Sequence, residues 1–137
     1  FGPHQDPTSQ YSAVIPKFIT SMLKGESPVV YGDGEQTRDF TYVENVIEAN
    51  LLAAAAPCEP GLVVNCACHD RISINGLVKE LNEILGADIK VKCVDRRKGD
   101  IVHSYASIEK ARQTLGYEPK VDFKTGLRKT VDWYRNR

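Results

Sequence analysis

The segment Tyr31-Gly-Asp-Gly-Glu-Gln-Thr-Arg38-Asp39-Phe-Thr-Tyr42-Val43 constrains this chain more than any other, because it combines two glycines, an arginine and a set of strand-forming residues. Val29, Val30 and Tyr31 suit a short strand, Gly32 and Gly34 permit a tight reversal, and Phe40, Tyr42 and Val43 suit a return to extended backbone. The spacing therefore predicts a hairpin that leads straight into a helix. Arg38 then stands at a turn-to-strand junction with its backbone anchored on both sides. A guanidinium fixed there offers a planar fork of donors to a phosphate. The same spacing equally allows a surface ion pair with Asp33, Glu35 or Asp39.

Around this segment the chain alternates short strands with helices. Val14 to Lys24 reads as a helix, with Pro16 in its first turn and Gly25 just past its end. Lys17 falls in that first turn, where the helix dipole disfavours a cation, so it is a candidate for reaching an anionic ligand; a solvated surface lysine is the alternative. Val43, Val46, Ile47, Asn50, Leu51 and Ala54 share one helical face, which predicts a packing helix that stops before Pro57. Leu62 to Cys66 reads as a mostly buried strand of the kind found mid-sheet. Ser73 is placed to cap a helix carrying Ile74, Leu77, Val78, Leu81, Ile84 and Leu85 and ending at Gly86. Ile89 to Val94 alternates as a strand with one face near solvent. Ser107 is placed to cap a helix through Leu115, closed by Gly116, and Asp122 to cap a last helix bearing Phe123, Leu127, Val131 and Tyr134.

A second constellation follows the Ile89–Val94 strand, where Arg97 and Asp100 are separated by Lys98 and Gly99. A basic cluster at a strand end beside a glycine can bring an arginine onto a pyrophosphate, while a carboxylate accepts hydrogen bonds from two ribose hydroxyls. A solvated charged turn is the other reading of the same residues. Cys58, Cys66, Cys68 and Cys93 lack paired C-x-x-C spacing and read as free thiols, although Cys66 and Cys68 share a strand face next to His69. Neither a carboxylate pair in an apolar pocket nor a persuasive Ser-His-Asp order is present, so no catalytic residue is assigned.

Taken together, Tyr31–Val43, Phe1-Gly-Pro3, Gln5-Asp-Pro7, Val14-Ile-Pro-Lys17, Arg97-Lys-Gly-Asp100 and Leu115-Gly-Tyr117 resemble, in order, the C-terminal substrate lobe of the extended short-chain dehydrogenase/reductase family. That family contains the nucleotide-sugar epimerases and dehydratases. Asn65 to Asn75 is similar to a segment of its UDP-N-acetylglucosamine 4-epimerase branch, which usually has glycine at the place of His69. If the position needs a positive φ, histidine adopts it at some cost.

The resemblance implies an α/β fold, a substrate-binding lobe of the extended Rossmann type with a small sheet and several helices across residues 1–137. It implies that Arg38 and Arg97 hold one diphosphate from two sides and that Asp100 holds the ribose. Val14 and Lys17 would lie near the nucleotide, Tyr31 and Gly32 along its base or phosphate, and Ser104 against the sugar. His4 and His103 stand where related sequences often carry arginine. The implied reaction is UDP-sugar 4-epimerisation with NAD, the cofactor being held mainly by an N-terminal lobe that this chain lacks. No G-x-G-x-x-G occurs, since Thr37 stands where a third glycine would follow Gly32 and Gly34, and no tyrosine has a lysine four residues on.

Composition narrows the partners. Eighteen basic residues balance eighteen acidic ones, so no net field recruits nucleic acid or an anionic membrane. No apolar run approaches the ~20 residues of a membrane span. The expectation is a cytoplasmic enzyme portion, inactive alone, whose full-length form is a homodimer with a UDP-sugar and its own N-terminal lobe as partners. The inner face of such a lobe should be apolar enough to self-associate. The competing expectations are a non-catalytic nucleotide-diphosphate-binding or interaction module, and a related dehydratase or decarboxylase.

Overall fold

The computed structural model describes residues 1–9, 14–57 and 59–137; the expected Cys58 thiol lies outside them. Helix α1 (Val14–Leu23) is followed by strands β1 (Val29–Tyr31) and β2 (Thr37–Arg38), helix α2 (Val43–Ala55), and strand β3 (Ile72–Ser73). Helix α3 (Ile74–Leu85), strand β4 (Lys92–Val94), helix α4 (Glu109–Leu115) and helix α5 (Phe123–Arg135) complete the order. The α/β expectation is met. None of the helices formed by described residues is long and apolar enough to cross a membrane.

Helix boundaries follow local chemistry. Ser73 Oγ accepts the Gly76 amide at 3.0 Å and Asp122 Oδ1 accepts the Thr125 amide at 2.7 Å, each satisfying a donor that the first helical turn leaves open. Gly86 and Gly116 end α3 and α4 in left-handed conformation, both at φ 66°. Helices α1, α3 and α5 close on β1 through Ile15, Ile19, Leu77, Leu81, Leu127 and Val131, all sealed from solvent. Each such side chain stabilises the fold by roughly 1.5–3 kcal/mol through burial. A second, smaller cluster joins Ala67, Ile108, Ala111, Leu115 and Tyr117 to the inner side of α2.

Four expectations are corrected. The glycine-rich segment is not a hairpin: β1 pairs parallel with β4, and β2 pairs antiparallel with β3. The loop between β1 and β2 is held instead by the start of α3. Asn75 donates from Nδ2 to Asp33 O at 3.0 Å and to Glu35 Oε1 at 2.6 Å, and its amide reaches Gly34 O at 3.0 Å. Gly34 is required there, because a Cβ would stand 2.1 Å from Asn75 Oδ1 at a φ of 81°. Nor do Phe40, Tyr42 and Val43 restart a strand; Val43 is already the first residue of α2.

Leu62–Cys66 is extended but belongs to no ladder among the described residues, and Val63 is 77% exposed. Leu62, Val64 and Cys66 pack on the second cluster while Val63 and Asn65 face outward. The predicted packing face of α2 is likewise the open one. Ile47 and Leu51 are 52% and 63% exposed, with Val43 and Val46 beside them. The helix is held by its opposite side, through Asn45, Ala49, Leu52 and Ala56.

Candidate functional site

Parallel pairing of β1 with β4 sets the C-terminal ends of the two strands side by side, Tyr31 opposite Val94. Tyr31 therefore emerges at the same edge as the loop that carries Arg97 and Asp100. The Arg97 guanidinium lies 3.8 Å above the centre of the Tyr31 ring, a stacked cation–π arrangement. The Asp100 amide closes the turn on Arg97 O at 3.2 Å.

Arg38 reaches this edge from a strand pinned on both sides. Its backbone pairs with Ile72 across β3, while the neighbouring Thr37 bonds to Val102 O through its amide and accepts from the Ser104 amide. The guanidinium is fixed as firmly. Nη1 donates to Thr37 O at 2.9 Å and to Val102 O at 3.4 Å, and Nη2 donates to Asp100 Oδ1 at 3.0 Å. Both side chains of this ion pair are about a quarter exposed. Asp33, Glu35 and Asp39, the nearer carboxylates in sequence, are not its partners.

Arg38, Arg97 and Asp100 line a single cavity of about 370 Å³ together with Val14, Tyr31 and Phe40. It adjoins a depression of about 640 Å³ that shares Val14, Phe18, Val29, Tyr31 and Arg97 and has Lys17 and Lys24 on its wall. Six of the eight residues singled out from sequence thus fall on one continuous edge: Arg38, Arg97, Asp100, Val14, Tyr31 and Lys17. Gly32 lies just around it, in a smaller recess with Tyr31, Arg96 and His103. Ser104 lines none of these recesses, its amide serving the Thr37 carbonyl. His4, at φ 65°, packs its ring 4.7 Å from Trp133 instead of facing the cavity.

Sequence reasoning missed Phe18, Gln36 and Phe40. Phe18 lies one turn after Val14 and so shares its side of α1, a signal that was available. Gln36 Nε2 donates to Tyr31 O at 2.8 Å and stiffens the floor, which only the fold reveals. Asp39 also lines the cavity, and its Oδ1 accepts the Cys68 amide at 2.9 Å. Burial, with the Asp39 carboxylate second, pushes the Cys68 thiol above its ordinary range, so Cys68 is no ready nucleophile. His69 does hold positive φ, at 56°, with its ring against Tyr105. Among the described residues no group of three or more His, Cys, Asp or Glu side chains is arranged for a metal ion.

The open edge of this α/β lobe thus gathers two arginines and a carboxylate around one cavity. Residues 1–67 match the model of the NAD dependent epimerase/dehydratase family. The chain superimposes with a TM-score of 0.92 on UDP-N-acetylglucosamine 4-epimerase from Methanobrevibacter ruminantium, solved with UDP-N-acetylmuramic acid; identity is 46%, over 99% of this chain and 43% of that one. UDP-glucose 4-epimerase from Thermotoga maritima, solved with UDP-glucose, gives 0.93 at 39% identity, with the same two coverages. UDP-N-acetyl-alpha-D-glucosaminuronate decarboxylase from Bacillus cytotoxicus is 30% identical over 91% of this chain and 40% of its own length. Over residues 1–67 by the family model, and over 99% of its length by superposition, the chain is similar to the NAD dependent epimerase/dehydratase family, as its motif order implies. It spans about two fifths of the length of the curated relatives it matches.

Proposed function

We propose that this chain is the nucleotide-sugar-binding portion of an NAD-dependent UDP-sugar 4-epimerase of the UDP-N-acetylglucosamine or UDP-glucose type. The meeting of Arg38, Arg97 and Asp100 around one cavity carries the reading. The two guanidinium groups hold the diphosphate, Asp100 accepts from the ribose, and Val14, Lys17, Tyr31 and Gly32 flank the nucleotide. Ser104 is the candidate contact to the sugar. Fixing the UDP end restricts the freedom of the hexose, the part of catalysis that a substrate lobe supplies.

NAD, when bound, supplies the hydride acceptor and donor for the sugar's C4. On this reading the cofactor is held mainly outside this chain. The Gly32–Gly34 loop runs from β1 into β2 and not into a helix, so it lacks the open amides and dipole that seat a pyrophosphate at a helix N-terminus. The cofactor and the proton-transfer groups therefore belong to an N-terminal lobe, and the exposed face of α2 with the unpaired Leu62–Cys66 segment is where that lobe packs. The full-length protein is a cytoplasmic homodimer on this reading, and the even charge balance favours a small-molecule substrate over nucleic acid or an anionic membrane.

One observation favours a second reading, a related dehydratase or decarboxylase or a binding module without chemistry. The decarboxylase from B. cytotoxicus aligns with nine tenths of this chain, so the lobe fits more than one reaction on the same nucleotide handle. Turnover of UDP-N-acetylglucosamine with added NAD separates the readings. The 137-residue chain alone is expected to show none, and the product of the coding sequence extended upstream of Phe1 is expected to epimerise at C4. Turnover by the chain alone, or an upstream sequence with neither a glycine-rich loop nor Tyr-x-x-x-Lys, contradicts the enzyme reading.

A further inference from the structure

We propose that Asp100 stands at the anion position of the cavity, and that its displacement from Arg38 makes the site select nucleoside diphosphates over free pyrophosphate. The inference rests on the nucleotide reading of this cavity and extends it to specificity. Arg38 is anchored independently of Asp100, since Nη1 is held by the carbonyls of Thr37 and Val102 and only Nη2 faces the carboxylate. Asp100 sits on a turn directly after Gly99, which is at φ 82°, and its side chain has no other hydrogen-bonded partner among the described residues. The carboxylate is the member of the pair free to move. Among the described residues Arg97, drawn onto Tyr31, has no carboxylate partner; of the two carboxylates that line the cavity, Asp39 and Asp100, only Asp100 pairs with one of its arginines.

An anion entering between Arg38 and Arg97 must displace Asp100 or share the cavity with a like charge. Pyrophosphate meets that repulsion and offers Asp100 nothing in return. A nucleoside diphosphate offers the ribose hydroxyls, two donors that a displaced carboxylate accepts. The same side chain therefore opposes one ligand and rewards the other, an exclusion device of the kind that sets specificity as a difference of affinities.

The test is calorimetric titration of the 137-residue chain and its Asp100→Ala and Asp100→Asn variants with inorganic pyrophosphate and with UDP. Loss of this counter-charge, about a quarter exposed, should tighten pyrophosphate binding in both variants by about tenfold. In Asp100→Ala, UDP should gain less or bind more weakly, so that the preference for UDP over pyrophosphate shrinks. Both substitutions lie on a surface turn, and unchanged thermal unfolding checks that the lobe is intact. If the wild type binds both ligands and neither variant tightens pyrophosphate, the exclusion role is wrong while the nucleotide reading stands. If the wild type binds neither ligand, the nucleotide reading itself fails and the inference falls with it.

Discussion

Asn45 shows how much one side chain can organise. It is 1% exposed, and its Oδ1 accepts the amides of Lys120 and Val121 at 2.9 and 3.0 Å while Nδ2 donates to Val121 O at 2.8 Å. The amide thus ties α2 to the segment that enters α5. Asn45→Ala leaves those buried backbone groups unpaired and should cost about 3 kcal/mol, read from the urea midpoint at unchanged slope. Tyr117 gives a pH signature. It is fully buried, its hydroxyl donates to Ala67 O at 3.0 Å, and burial pushes its phenol far above the ordinary value. A group whose folded pKa is raised contributes stability below its unfolded pKa and loses that contribution as pH climbs past it, so stability should fall above about pH 10. Tyr117→Phe should flatten that alkaline limb in a pH series of denaturant melts; an equally steep limb would assign it to other groups, Tyr42 and Tyr134 first, which are also shifted upward.

Among the elements, those with local signals were legible and those completed from outside were not. Ser73, Asp122, Gly86 and Gly116 marked helix ends because caps act within one turn. The hairpin reading failed because two glycines and strand formers specify a reversal but not a pairing partner, and Asn75, 42 residues from Asp33, decides how the loop is held. The stripe Val43, Val46, Ile47, Leu51 was legible as an apolar face but misread as covered within this chain. A hydrophobic period states that a surface favours burial, not what buries it. The same holds for Leu62–Cys66, which has the pattern of a sheet strand without a ladder. The open stripe should make the chain associate at high concentration. Ile47→Asp with Leu51→Asp should return it to a monomer in sedimentation velocity with little change in stability, since both residues already face solvent. A wild type that stays monomeric would contradict the role given to this face.

For the whole molecule, the fold does one thing with its topology. Parallel pairing of β1 and β4 brings Tyr31 and the 95–100 loop to one edge, and the β2–β3 pair delivers Arg38 to the same edge. Arg38, Arg97 and Asp100 were legible as a set from motif order, whereas the ion pair between Arg38 and Asp100 was not, because 62 residues separate them and only the fold joins them. Around this edge one tight cluster of three helices provides rigidity, while the second cluster, built on α2 and α4, presents the open face. The claim that unites these features is that two guanidinium groups share one diphosphate. Calorimetric titration of UDP into the wild type, Arg38→Ala and Arg97→Ala tests it most directly. Each substitution should weaken binding by roughly 10- to 100-fold, the worth of a charge-assisted hydrogen bond; UDP affinity unchanged by either loss would contradict the account.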